Sequence, residues 1–140
     1  MTGLFAALEA RFNANPTLRL KGRKLYDGFQ EAKLNVTKPY CEVNYELVED
    51  LSSFSTDIEV YELRFRYHAK DLKTGSAKAW IDAMEATFRD SNVRSGEFEW
   101  AGCKQLGWSM PTLTDGLYDA AIRFRATIAR RINSPLVRHA

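Results

Sequence analysis

Histidine and cysteine are scarce in this sequence, with two of each in 140 residues. His68 closes an alternating segment and His139 sits beside the last residue, so a catalytic dyad or triad would have to be built around His68 alone. No GxSxG elbow supports one, and a histidine at a strand end beside Tyr67 reads as a surface residue. Cys41 and Cys103 are 62 positions apart with no CxxC spacing, which argues against a disulfide framework and a short-spaced zinc site. They read as small core residues, and neither a metal nor a cofactor is expected.

Long apolar runs are missing as well: none approaches the roughly 20 residues of a membrane span. Met1 to Ala10 has no basic cluster and contains Glu9, so the expectation is a soluble, intracellular product that engages no membrane. Asn35-Val36-Thr37 fits a glycosylation pattern, read as chance without a secretion signal. Gly22 and Gly28 match neither GxGxxG nor GxxxxGK[ST], which leaves nucleotide binding unsupported.

Charge of one sign is lacking too. Twenty basic and eighteen acidic side chains give +2, no general nucleic-acid footprint. The exception is the C-terminal part, where Arg123, Arg125, Arg130, Arg131 and Arg138 occur with no acid after Asp119. Arg19, Lys21, Arg23 and Lys24 form a basic cluster, read either as a solvated loop or as a contact for phosphate or acidic protein. Asp82 with Glu85, and Glu97 with Glu99, are carboxylate pairs, but the helix pair lies opposite the apolar stripe and reads as solvent-facing rather than catalytic.

What is present is periodicity. Leu4, Phe5, Leu8 and Phe12 predict a short amphipathic helix, with Asn15-Pro16 as its stop. Residues 16–38 carry no sustained period and read as an irregular connection with a short strand around Leu25 to Phe29. Cys41, Val43, Tyr45 and Leu47 alternate with polar partners, as do Tyr61, Leu63, Phe65 and Tyr67, predicting two strands of a hairpin. Pairing Tyr45 with Tyr61, Val43 with Leu63 and Cys41 with Phe65 puts both apolar sets on one face and sets Glu42 opposite Arg64 on the other.

Ala77, Trp80, Ile81, Met84 and Phe88 form the stripe of a second helix, with Thr74 or Ser76 as its cap and an end before Asn92 and Gly96. Phe98 and Trp100 start a third strand that is expected to dissolve at Gly107 to Pro111. Asp115-Gly116 is a turn signal before a long fourth strand, Tyr118 to Ile128. The expectation is an α+β two-layer domain over residues 1–130, in the order α-β-β-α-β-β. Its mainly antiparallel four-stranded sheet would carry two helices on one face, and residues 131–140 would form a mobile tail.

The outer sheet face holds the candidate interaction residues. Val48, Ile58 and Val60 form an apolar group covered either by another subunit or by a third helix or the chain's own 16–38 segment. With Arg64 and Arg66 they are the candidate subunit interface, and Arg123 and Arg125 are candidate lumen or interface arginines.

Across nearly the whole chain the element pattern resembles that of the tail terminator or tail-completion proteins of long-tailed bacteriophages. The matching parts are the opening helix through Phe12, the Gly22 to Gly28 connection and the Pro39-Tyr40-Cys41-Glu42-Val43 strand start. They continue with the Ile58 to Tyr67 strand, the Trp80 to Phe88 helix and the Asp115-Gly116 lead-in to Ile122-Arg123-Phe124-Arg125. The resemblance implies a virion structural protein and not an enzyme. It implies a subunit assembled in the host cytoplasm into a ring, commonly a hexamer, at the head-proximal end of the tail tube. There it would stop tube polymerisation, touch the tube protein and a neck or head-completion protein, and let DNA pass without sequence readout. Two alternatives stand beside it: a head-completion or neck connector subunit, and a small α+β enzyme or ligand-binding module with Tyr40, Tyr45, Tyr61 and Trp108 around a pocket.

Overall fold

The computed structural model describes residues 4–18, 25–28, 40–53, 57–69, 74–89, 98–114 and 117–130. The elements are α1 (Leu4–Asn13), β1 (Leu25–Asp27), β2 (Tyr40–Asp50), β3 (Asp57–Ala69), α2 (Thr74–Phe88), β4 (Phe98–Thr114) and β5 (Leu117–Arg130). The basic cluster at 19–24, the Asn35 glycosylation pattern, the Asp115-Gly116 turn and the 131–140 tail lie outside the described residues.

The four-stranded antiparallel expectation is overturned. Five described strands form one mixed sheet in the order β1-β2-β3-β5-β4, and β1 joins β2 in parallel, with Leu25 beside Cys41 and Asp27 beside Val43. The extra strand, three residues long, lies within the short strand read around Leu25 to Phe29, but its length gives no period from which its parallel place beside β2 could be read. β4 also departs from expectation: it does not dissolve at Gly107 but runs for 17 residues. Its register slips between Trp100 and Gly102, Gln105 and Gly107, and Ser109 and Thr112. Each slip resets which residues face the core, so no single two-residue period survives along the strand.

One sheet face and both helices share a single core. Cys41, Val43, Leu63, Phe65, Ala120, Ile122, Phe124, Ala126 and Ile128 line the sheet side, and Leu4, Leu8, Phe12, Ala77, Trp80, Ile81, Met84 and Phe88 the helix side, all without solvent exposure. Phe88 sets its ring 4.7 Å from Phe65 and 6.0 Å from Phe124, while Trp80 meets Tyr67 at 5.5 Å. Cys41 and Cys103 are both free and buried. Because β3 and β5 separate their strands, three strand spacings of about 4.8 Å hold them at least roughly 14 Å apart, beyond disulfide reach. Burial pushes the Cys41 thiol well above its ordinary pKa, keeping it protonated and unreactive.

Polar contacts fix the two helices to each other. Arg11 Nε donates to the Thr87 carbonyl at 3.0 Å, and Asn15 Nδ2 to Thr87 Oγ1 at 2.8 Å. The Asn15 side chain also accepts from the Thr17 N–H at 2.9 Å, so the residue read as a helix stop caps the following turn while clamping α2.

The hairpin register differs from the expected one by two residues. Cys41 faces Tyr67, Val43 faces Phe65 and Tyr45 faces Leu63, while a bulge between Leu47 and Glu49 absorbs the extra residue near the tip. A shift of two preserves which side chains face the core but changes partners: Glu42 lies opposite Arg66, and Arg64 opposite Asn44.

Among the described residues, Gly28 is the one glycine whose lack of a side chain is required by close approach. Its N–H donates to the Val43 carbonyl at 2.9 Å, and a Cβ would come within 2.7 Å of Asn44 Cγ and 3.0 Å of the Val43 oxygen. Gly28→Ala is therefore expected to destabilise the protein by about 1–3 kcal/mol. Urea-denaturation midpoints measure this, and Asn44→Ala in the same chain should restore only part of the loss, because the backbone contact remains.

Candidate functional site

The outer face of the sheet, opposite the helices, collects most of the candidate residues. Crossing from β4 through β5 and β3 to β2, the register places Lys104, Arg125, Glu62 and Glu46 in one row. The next rows are Gly107, Arg123, Arg64 and Asn44, then Ser109, Ala121, Arg66 and Glu42, then Thr112, Asp119, His68 and Tyr40. Rows are about 6.7 Å apart and strands about 4.8 Å, so five cations from three strands occupy one continuous surface.

Only one of these cations has an acidic partner among the described residues: Arg123 Nη1 lies 3.2 Å from Glu62 Oε1. Arg64, Lys104 and Arg125 are exposed, and Arg66 is half-buried. Arg64 stands directly opposite Arg123, and Lys104 opposite Arg125. Like charges in facing positions destabilise a sheet by a few tenths to about 1 kcal/mol each. Between Arg64, Arg66 and Arg123 a groove of about 350 Å³ opens to solvent, and its floor is kept low by Gly107, Ser109 and Ala121. Chemically the arrangement offers several guanidinium donors to a carboxylate or phosphate.

The edge of this face has its own order. Glu42 Oε1 lies 3.1 Å from His68 Nε2, and the His68 ring stacks on Tyr40 at 4.7 Å, which in turn meets Tyr26 edge-on at 5.8 Å. His68 is thus no surface residue: its side chain is 12% exposed. Burial, followed by the negative charges of Glu42 and Asp119, raises the Tyr40 hydroxyl pKa, so it stays neutral. No group of three or more metal-ligating side chains occurs among the described residues.

The candidate interface residues do not form one surface. Val48 is 43% exposed on the hairpin bulge, but Ile58 is half-buried and Val60 only 5% exposed. Val60 therefore presents almost no surface to a second subunit. The exposed aliphatics that accompany Val48 are Leu47 (46%) and Leu51 (50%), both at the β2–β3 tip. Leu47 reached the surface because the bulge ends the alternation that should have buried it.

The aromatics considered for a pocket are dispersed. Tyr40 lies on the outer face. Tyr45 is on the core face, its hydroxyl donating to Asp27 Oδ2 at 2.9 Å, and burial together with that bond pushes its pKa up to about 12. Trp108 sits on β4, three strands away, under the Lys78 ammonium at 5.0 Å.

No protein-family profile matches the chain, and no curated protein sequence does. Among solved structures, a chain of the "Virion of native gene transfer agent (GTA) particle" superposes with a TM-score of 0.71. It is 18% identical, and the match covers 90% of this chain and 94% of that one. At this identity the likeness establishes a common fold.

Proposed function

We propose that this chain is a structural subunit of a virion, and within that class a tail terminator. It assembles into a ring at the head-proximal end of a tail tube, stops tube polymerisation and joins the tail to the neck, without catalysis. One observation carries the reading: the fold extends over nine-tenths of both chains in the match to a chain of a virion particle.

The site geometry supports it. The grooves among the described residues are open surfaces rather than enclosed pockets, and the tyrosines that would line a binding site face different ways. A ring subunit needs two different surfaces that meet across a closing, head-to-tail contact. An exposed aliphatic tip and an unneutralised cationic face meet that need.

The test is direct. The purified protein should form annular particles in negative-stain electron micrographs. When added to polymerising tube protein of the same virus, it should shorten the tubes and leave one end capped. A protein that stays monomeric at all concentrations by light scattering and leaves tube length unchanged would overturn the reading.

A further inference from the structure

We propose that the contact between neighbouring copies is made by the tip of the β2–β3 hairpin of one chain docking on the cationic outer face and β4 edge of the next. The inference rests on the chain being a ring subunit and names the surfaces that would close the ring.

The tip combines two kinds of side chain that demand a partner. Leu47, Val48 and Leu51 are between 43% and 50% exposed, and between them stand Glu49 and Asp50, both exposed and neither ion-paired among the described residues. No cation occurs from Glu46 to Thr56. Ser52 keeps the tip in shape: its N–H donates to Asp50 Oδ1 at 2.9 Å, and its hydroxyl to Asp57 Oδ1 at 2.8 Å.

The receiving surface has the complementary composition. Arg64, Arg66, Arg123, Arg125 and Lys104 stand against only Glu62 and Asp119 on the central strands. At the β4 edge, Leu106 and Trp108 are 37% and 44% exposed beside Lys104. Carboxylates set between Arg64 and Arg123, and between Lys104 and Arg125, would turn two repulsive cross-strand pairs into attractive ones.

The tip cannot satisfy its own face. Ile58 and Arg64 are six residues apart on an extended strand, about 20 Å, and the sheet order puts β2 and β4 three strands apart. Two complementary surfaces at separate places on one molecule produce a heterologous contact, which closes a ring when the rotation permits. Strand-to-strand addition at β4 is the poorer alternative, because three register slips and Pro111 interrupt that edge. A nucleic acid would answer the cations but leave the aliphatic tip in water.

Two charge-reversed variants test the contact at low ionic strength. Glu49→Lys with Asp50→Lys reverses the tip, and Arg64→Glu with Lys104→Glu reverses the face. All four positions are exposed, and the face changes replace like-charge pairs with opposite ones, so circular dichroism should show both variants folded.

Each variant alone should associate at least about 100-fold more weakly than the natural chain by sedimentation or light scattering. An equimolar mixture should recover rings of even subunit number, since reversed tips then meet reversed faces and natural tips meet natural faces. All four changes in one chain should also recover rings. Rings formed by either variant alone as readily as by the natural chain would overturn this contact while leaving the ring itself. A natural chain that never associates removes the ring reading and this contact with it. Intact rings of the Arg64/Lys104 variant that have lost binding to labelled duplex DNA would assign the face to nucleic acid and overturn the proposal.

Discussion

Phe65→Ala will lower the free energy of unfolding by about 3–5 kcal/mol, the range for removing a fully buried phenyl ring. Phe65 has no solvent exposure and sits on β3, with β2 on one side through Val43 and β5 on the other through Ile122. Its ring lies 4.7 Å from Phe88 and 6.0 Å from Phe124, so it is the point where the helix layer meets the sheet. The hole left by alanine cannot close readily. Two long ladders hold β3, and Arg11 and Asn15 tie α1 to the end of α2 that carries Phe88. For a domain of this size the loss corresponds to a drop in Tm of roughly 10–15 °C. Leu106→Ala, at a residue more than a third exposed, is the control and should change stability by less than about 0.5 kcal/mol. A Phe65→Ala loss under about 1 kcal/mol would mean that the core is centred elsewhere.

The parts of this architecture that could be read from residues are those where one period holds without interruption. The 77–88 stripe on α2 and the alternation along β3 and β5 mark their elements because each keeps one face buried from end to end. The exceptions follow from local geometry. The β2–β3 partners lie two residues from the expected register, three slips hid the length of β4, and β1 is too short for its parallel pairing with β2 to show in the residues. Long-range polar partnerships were likewise invisible. Glu42 and His68 are 26 residues apart in sequence, and nothing local to either names the other. Their meeting on the outer face depends on a register two residues from the expected one.

The same geometry explains why the candidate site was only half legible. Arg64, Arg66, Arg123 and Arg125 were identifiable as outward-facing from alternation alone, but that Arg64 faces Arg123 and that Lys104 joins them follows only from strand order and register. The apolar component was misplaced. Val60 belongs by parity to the outer face and yet is buried, whereas Leu47 belongs by parity to the core and is exposed. Leu47 lies beside the bulge on β2, where two residues oppose one, whereas Val60 keeps its outer-face register on β3 and is buried there apart from the main core. The result is an apolar and acidic tip projecting from one end of the sheet and a cationic surface over its middle, both with unmet demands.

Leu47→Thr with Leu51→Thr should weaken ring association by about 100-fold while leaving the monomer folded. Each leucine already has about half its surface in water, so threonine, which suits a strand, should cost the monomer less than about 1 kcal/mol per site. In the assembled ring the exposed half of each side chain would be covered. At about 25 cal/mol per Å², removing that apolar area from both sites corresponds to roughly 3 kcal/mol of association energy, or about two orders of magnitude. The salt dependence separates this effect from the charge reversals. Raising the salt to about 1 M shortens the screening length to about 3 Å, so the difference between the charge-reversed and natural chains should shrink. The deficit of the threonine variant should persist, because apolar burial is not screened. Sedimentation velocity at two salt concentrations reads both effects. A threonine variant that associates like the natural chain would show that the tip leucines stay in water after assembly, and the hairpin would lose its place in the contact.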